Sequence, residues 1–164
     1  MSSFPPPLVE DAARVLESCR RTSRTLATAE SCSGGLIGAL LTEIPGASDV
    51  FTHGFITYAN EAKHGMLGVS NALIAQHGAV SAEVALAMAE GALKTAKVNL
   101  AVSVTGVAGP GGATASKPVG LVHIAVADST KPAVSRAYHF SGDRSAIRLQ
   151  AVKAALDMLR QQLD

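Results

Sequence analysis

Apolar residues recur along this chain with two alternating periods. From Leu8 to Arg21, the residues Leu8, Ala12, Val15, Leu16 and Cys19 share one helical face while Glu10, Asp11, Arg14 and Glu17 share the other, which predicts an amphipathic surface helix. Thr25 to Ala29 reads as a short strand, Gly34 to Ile44 as a helix stopped near Pro45-Gly46, and Val50 to Tyr58 as a second strand. Gly54 inside that second strand signals a bulge or a close backbone contact. Helical character returns after Asn60 and runs through Leu67, and His77-Gly78 reads as a helix end. Ser81 can then cap a long helix in which Val84, Ala85, Met88, Ala92 and Ala96 share a face, with Glu83 suiting the dipole of its first turn. Leu100 to Thr105 is a buried-looking strand, and Val119 to Ala127 and Ala133 to Phe140 are two more. A last helix from Arg144 to Leu163, capped by Asp143 or Ser141, stacks Ile147, Ala151, Ala154 or Ala155, and Met158 on one side.

Strands and helices intermix with no repeat and no linker, so the pattern predicts one three-layer α/β/α domain with a mixed, mostly parallel sheet over residues 1–164. The last two strands are adjacent and suit an antiparallel hairpin. Met1 to Pro7, with prolines at 5, 6 and 7, reads as a short extended leader. In sheets of this class ligands gather at the carboxyl ends of the strands. Three segments share that address: Glu30 to Gly35, Tyr58 to Lys63, and Thr105 to Gly112.

Composition narrows the picture. The chain is 48% hydrophobic but only 4% aromatic and lacks Trp, so its core must be built from Ala, Val, Leu and Ile. Fourteen Lys plus Arg against thirteen Asp plus Glu give a net charge of +1, which supplies no general drive toward nucleic acid. Cys19 and Cys32, the only cysteines, lack CxxC or Cys/His spacing, so neither a disulfide scaffold nor a structural metal site is expected. There is no signal-peptide pattern at the start and no long uninterrupted apolar run, and the expectation is a cytoplasmic protein without a membrane partner.

The chemistry concentrates in Thr28-Ala29-Glu30-Ser31-Cys32-Ser33-Gly34-Gly35 and in Tyr58-Ala59-Asn60-Glu61-Ala62-Lys63. Serine is a weak nucleophile until a base takes its proton, and a lysine can do so once burial or a neighbouring charge lowers its pKa from about 10.4. Ser31 is the candidate nucleophile and Lys63 the candidate base. Tyr58 is placed to relay the proton or to hold the lysine amine. Backbone N–H groups from Cys32 through Ser33 and Gly34 to Gly35 could stabilise an oxyanion, a contribution of roughly 3 to 4 kcal/mol per donor. Competing readings stand beside these. Ser31 or Ser33 could simply cap the helix that follows, Lys63 could be a solvated helix lysine, and Cys32 could be a rival nucleophile with its thiol pKa lowered by a helix N-terminus. The segment does not follow the GxSxG nucleophile-elbow pattern.

The loop after the third strand, Thr105-Gly106-Val107-Ala108-Gly109-Pro110-Gly111-Gly112, fits neither a Walker nor a Rossmann motif. Successive N–H groups at Gly106, Gly109, Gly111 and Gly112 can still form an anion-binding concavity, and Arg144 can add a bidentate contact to a phosphate. The alternative is a plain connecting loop beside a surface arginine. Of the five histidines only His64 falls near these segments, and none has metal-ligand spacing.

Taken in order, the two segments around Ser31 and Lys63, His77-Gly78-Ala79-Val80-Ser81, the Thr105 to Gly112 loop, Lys117-Pro118-Val119-Gly120 and Phe140-Ser141-Gly142-Asp143-Arg144 resemble the CinA C-terminal domain family over nearly the whole chain. That family includes nicotinamide-nucleotide amidases, which convert nicotinamide mononucleotide to nicotinic acid mononucleotide and ammonia. The resemblance implies a serine nucleophile at Ser31, its lysine at Lys63 and a motif tyrosine at Tyr58. Ser33 stands where the family commonly has Thr, which keeps the hydroxyl. The resemblance further implies an anticodon-binding-domain-like fold with a mixed five-stranded sheet, a small nucleotide substrate, no cofactor or metal, and homo-oligomers. It also implies a stand-alone amidase, because 164 residues leave no room for the N-terminal domain that many members carry. Two other functions fit the same residues: a competence- or damage-related nucleotide-binding module without turnover, and an amidase for another small amide.

Overall fold

The structure, a computed structural model, describes residues 1–164. Its elements follow the two periods of the sequence. Helix α1 (Pro6–Arg21) is followed by strand β1 (Leu26–Glu30), helix α2 (Leu36–Thr42), a 3₁₀ turn (Ala47–Asp49) and strand β2 (Phe51–Ile56). Then come α3 (Asn60–Leu67), α4 (Asn71–His77), α5 (Ala82–Ala96), β3 (Leu100–Gly106), β4 (Leu121–Asp128), β5 (Lys131–His139) and α6 (Arg144–Leu163). The five strands form one sheet in the order β2-β1-β3-β4-β5. β1 pairs parallel with both β2 and β3, and β4 pairs antiparallel with β3 and β5, so four of the five strands point the same way and only β4 is reversed. The sheet is therefore mixed and mostly parallel, with the expected hairpin at its end.

Helices cover both faces. α1, α2 and α6 pack together on one side, where Leu16, Leu26, Ile37, Leu100, Ile124 and Leu156 fill the larger core. α5 covers the other side, with α3 and α4 packed on it. No aromatic ring is among the buried residues, so the core is aliphatic as the composition requires. Where α5 meets β4, Ala85 and Ala89 face Ala125 and Ala127, small side chains that bring helix and sheet close together. Gly91 works the same way in the middle of α5. A Cβ there would lie 2.1 Å from the carbonyl oxygen of Leu67, so only glycine lets α5 approach the C-terminus of α3.

Several sequence expectations shift. Only the first five residues precede helical structure, since Pro6 and Pro7 occupy the first turn of α1, where a missing N–H costs nothing. The helix expected over Gly34 to Ile44 is shorter, because Gly34 (φ +59°) and Gly35 (φ +96°) adopt left-handed backbone and delay its start to Leu36. The β1/β2 register slips between Leu26 and Ala27, which leaves Thr52 unpaired, so the irregularity lies at Thr52 and not at Gly54. Gly54 is instead a close contact, with a Cβ position 3.2 Å from the Phe51 ring and the Thr28 hydroxyl. Helix α4 was signalled only by its His77-Gly78 end; Ser70 caps it, accepting from the Leu73 N–H. Ser81 and Asp143 cap α5 and α6 as expected.

Candidate active site

Three parallel strands, β2, β1 and β3, end side by side, and the site grows from their carboxyl ends. Ser31 directly follows β1, and its backbone N–H is tied to the Val104 carbonyl of β3 (2.9 Å). Thr57 directly follows β2, and its N–H is tied to the Glu30 carbonyl (2.9 Å). The start of the Ser31 turn is thus pinned to both neighbouring strands. A cleft of about 270 Å³ opens there, lined by Ser31, Cys32, Tyr58 and Lys63 on one side and by Thr105 and the glycine loop on the other. Arg144 stands at its rim.

Lys63 lies in the first turns of α3, only 1% exposed, and its Nζ is 3.0 Å from Ser31 Oγ. The same nitrogen is 2.9 Å from the Thr57 carbonyl and 3.1 Å from the Tyr58 carbonyl. Burial pushes its pKa below the ordinary lysine value, against a smaller pull upward from Cys32. A neutral amine in this setting has two hydrogens and one lone pair. The two carbonyls take the hydrogens, and the lone pair is left facing Ser31 Oγ, the orientation a general base needs.

Neither serine caps α2. That task falls to Glu30, 1% exposed, whose Oε1 accepts from the Ile37 N–H (2.9 Å) and Oε2 from the Gly38 N–H (3.0 Å). An anionic carboxylate is well suited to the positive end of a helix. Ser31 Oγ is free to meet Lys63, and Ser33 Oγ is buried without a partner. Of the proposed oxyanion donors, the Gly34 N–H is committed to the Ser31 carbonyl (3.0 Å), which closes the tight turn. The N–H groups of Ser33 and Gly35 have no partner within the chain and that of Cys32 meets only its own thiol; Cys32 alone of this group lines the cleft.

The expected low pKa of Cys32 is corrected. Burial pushes its thiol up to about 11, outweighing its own backbone hydrogen bond and the pull of Arg148 and Arg144, so the thiol stays protonated and is a poor nucleophile. Of the two roles read for Tyr58, the contact with the lysine amine is made by its backbone. Its carbonyl holds the lysine amine, whereas its phenol, on a 60% exposed residue, accepts from Arg144 Nη2 (2.9 Å). His64 turns away from the cleft and meets the Val69 carbonyl through Nδ1 at 2.8 Å.

On the far wall, Thr105 Oγ1 donates to the Ala79 carbonyl (2.8 Å), joining the end of β3 to the turn at Ala79 and Val80 that also lines the cleft. Gly106, Gly109, Gly111 and Gly112 all line it, and the last three have unpartnered N–H groups. Arg144 Nη1 donates to the Gly109 carbonyl (2.9 Å), so this arginine bridges the glycine loop to Tyr58. Sequence reasoning gave no role to Glu30, Arg148, Asn60 or the Ala79-Val80 turn. Arg148 could have been noticed as the residue one helical turn beyond Arg144. No three His, Cys, Asp or Glu side chains converge as a metal-ligand set.

The CinA C-terminal domain model matches residues 9–163. The nicotinamide-nucleotide amidohydrolase PncC of Escherichia coli K12 is 46% identical over 155 residues, 94% of each chain. A CinA-like protein of Geobacter sulfurreducens is 51% identical over 144 residues, 88% of this chain but 35% of that protein. The chain spans about a third of the length of several such curated relatives. The crystal structure of competence/damage inducible protein CihA from Agrobacterium tumefaciens superposes with a TM-score of 0.97 at 45% identity, covering all of both chains.

Proposed function

This chain belongs to the CinA C-terminal domain family, and from that premise we propose that it is a nicotinamide-nucleotide amidase working through Ser31 and Lys63. The 3.0 Å contact between a buried lysine amine and a serine hydroxyl in an open cleft carries the reading. The E. coli relative named as a nicotinamide-nucleotide amidohydrolase, matched along nearly its whole length, supports the substrate.

In this scheme Lys63 takes the Ser31 proton as Oγ attacks the carboxamide carbon. The resulting oxyanion is met by the Cys32 N–H group, the one of these donors on a residue that lines the cleft. Collapse breaks the C–N bond, the lysine returns the proton to the leaving nitrogen, and ammonia departs. Water, deprotonated by the same amine, then attacks the acyl-serine, and its proton passes back through Lys63 to Oγ as the acid leaves. The nucleotide phosphate lies against the N–H groups of Gly109, Gly111 and Gly112 and against Arg144, so that binding far from the reacting amide orients it. Tyr58 serves by steadying Arg144.

The test is ammonia release from nicotinamide mononucleotide by wild type and Ser31→Ala, with and without EDTA. Release that survives EDTA and is lost in the variant supports the scheme. Tight nucleotide binding without release by wild type favours a binding module, and faster turnover of free nicotinamide than of the nucleotide favours an amidase for another small amide.

A further inference from the structure

The polar side chains around the cleft are engaged with the chain itself, save one. Lys63 meets Ser31 Oγ, Thr105 Oγ1 donates to the Ala79 carbonyl, Arg144 donates to the Tyr58 phenol, and the Cys32 thiol faces its own N–H. Carbonyls of the lining residues are taken in the same way. That of Ser31 accepts from the Gly34 N–H, that of Cys32 from Arg148 Nε (3.0 Å), that of Tyr58 from Lys63, that of Val107 from the Gly120 N–H and that of Gly109 from Arg144. Asn60 is the exception: it lines the cleft, and no group of the chain hydrogen-bonds its side-chain amide.

Its place in the fold explains this freedom. Asn60 is the first residue of α3, exposed on the opening turn and preceded by Ala59 at a cap position that no side chain fills. Lys63 comes three residues later, which puts both residues on one face of the helix. The Asn60 amide therefore belongs to the wall that carries Lys63, whereas the Arg144 guanidinium and the N–H groups of Gly109, Gly111 and Gly112 on the other wall can only donate. A nicotinamide nucleotide needs acceptors as well, since its carboxamide nitrogen carries two hydrogens and each ribose hydroxyl one. Asn60 can accept from such a group, and it brings no negative charge that would raise the pKa of Lys63.

We propose that Asn60 is a specificity residue that reads the uncharged part of the nucleotide, its side-chain oxygen accepting a hydrogen from the carboxamide N–H or from a ribose O–H. This rests on the nucleotide substrate proposed above. Asn60→Ala is expected to lower kcat/KM for nicotinamide mononucleotide about threefold to thirtyfold with an unchanged melting temperature. Asn60→Asp keeps an acceptor and is expected to stay within about threefold of wild type, each protein being measured on the alkaline plateau of its own pH profile. Inhibition by nicotinic acid mononucleotide separates the two sources, because the acid shares the ribose and lacks the carboxamide. Equal weakening of its binding in Asn60→Ala assigns the contact to the ribose, and unweakened binding assigns it to the carboxamide. An alanine variant within about twofold of wild type, an aspartate variant as impaired as the alanine one, or a loss that accompanies a lower melting temperature would overturn the proposal. Calorimetric titration with nicotinamide mononucleotide keeps this proposal distinct from the amidase reading. Wild type that binds the nucleotide without turnover sinks the amidase reading alone, provided Asn60→Ala binds it about threefold to thirtyfold more weakly; equal affinity of the two proteins sinks this proposal as well.

Discussion

Replacing Lys63 with Met removes the amine while keeping an unbranched stem of similar length in a site that is 1% exposed. General-base catalysis contributes about 100- to 10,000-fold, so the variant should lose about 3 to 5 kcal/mol of transition-state stabilisation. Under the proposed mechanism the same amine governs two pH dependences. Only its neutral form can accept the Ser31 proton, so log kcat/KM of wild type should climb one unit per pH unit on the acid side. It should level off at a pH below the ordinary lysine value of about 10.4, because burial lowers the pKa. Stability follows with a definite sign. The folded state binds its proton more weakly than the unfolded state, so wild-type stability rises with pH between the lowered folded pKa and about 10.4, by at most about 1.4 kcal/mol per pH unit. Below that window the penalty of the buried ammonium is fully present. Lys63→Met should lack this slope and should therefore compare most favourably with wild type at the acid end. Ammonia release and urea denaturation across the neutral-to-alkaline range measure both effects. A kinetic limb centred at the unperturbed value, or a variant within tenfold of wild-type turnover, would refute the reasoning.

Three further outcomes concern the frame around the dyad. Glu30→Gln replaces one carboxylate oxygen with an amide that faces a helix N–H, which should cost about 1.5 to 3 kcal/mol and lower Tm by about 3 to 12 °C, read by thermal melting. Arg24→Ala leaves buried Asp128 without its 2.6 Å partner and should cost about 3 to 5 kcal/mol at neutral pH. Burial alone would raise the Asp128 pKa, but the Arg24 and Thr130 hydrogen bonds hold it below the usual carboxylate range. The contribution is therefore present above about 3.9 and fades as pH falls through the lower folded value, so the gap between variant and wild type should narrow in acid. Gly91→Ala would stabilise an ordinary helix, yet here its Cβ meets the Leu67 carbonyl; melting and kinetics should show a loss of about 1 to 3 kcal/mol together with slower turnover, since α3 carries Lys63.

The order of the strands and the longer helices was legible because each carries its own period, and α5 and α6 their caps as well, Ser81 and Asp143, whereas short α4 showed only its end. Ser31 and Lys63 stood out because their residue types sit just beyond strand ends, where parallel sheets gather ligands. What stayed hidden depended on distance in sequence or on burial. Arg148 lies 116 residues from Cys32, and no local pattern links them. The role of Glu30 required knowing that Gly34 and Gly35 delay the helix, which brings the Ile37 and Gly38 N–H groups over its carboxylate. Cys32 was misjudged because position near a helix start suggests a low pKa, whereas burial decides it. Tyr58 was read as a residue to relay the proton or hold the lysine amine, and residue type could not show that its carbonyl makes the contact with Lys63.

That last contact bears on how this site can vary. The groups that aim the lysine are the peptide oxygens of positions 57 and 58, which every amino acid supplies. Side chains there can drift over evolutionary time without disturbing the aim, and a substitution scan of those positions would leave the aiming groups in place. What must persist is the path of the chain between β2 and α3. A designer grafting this dyad onto another scaffold would need to copy a loop shape, with only two side chains fixed in advance.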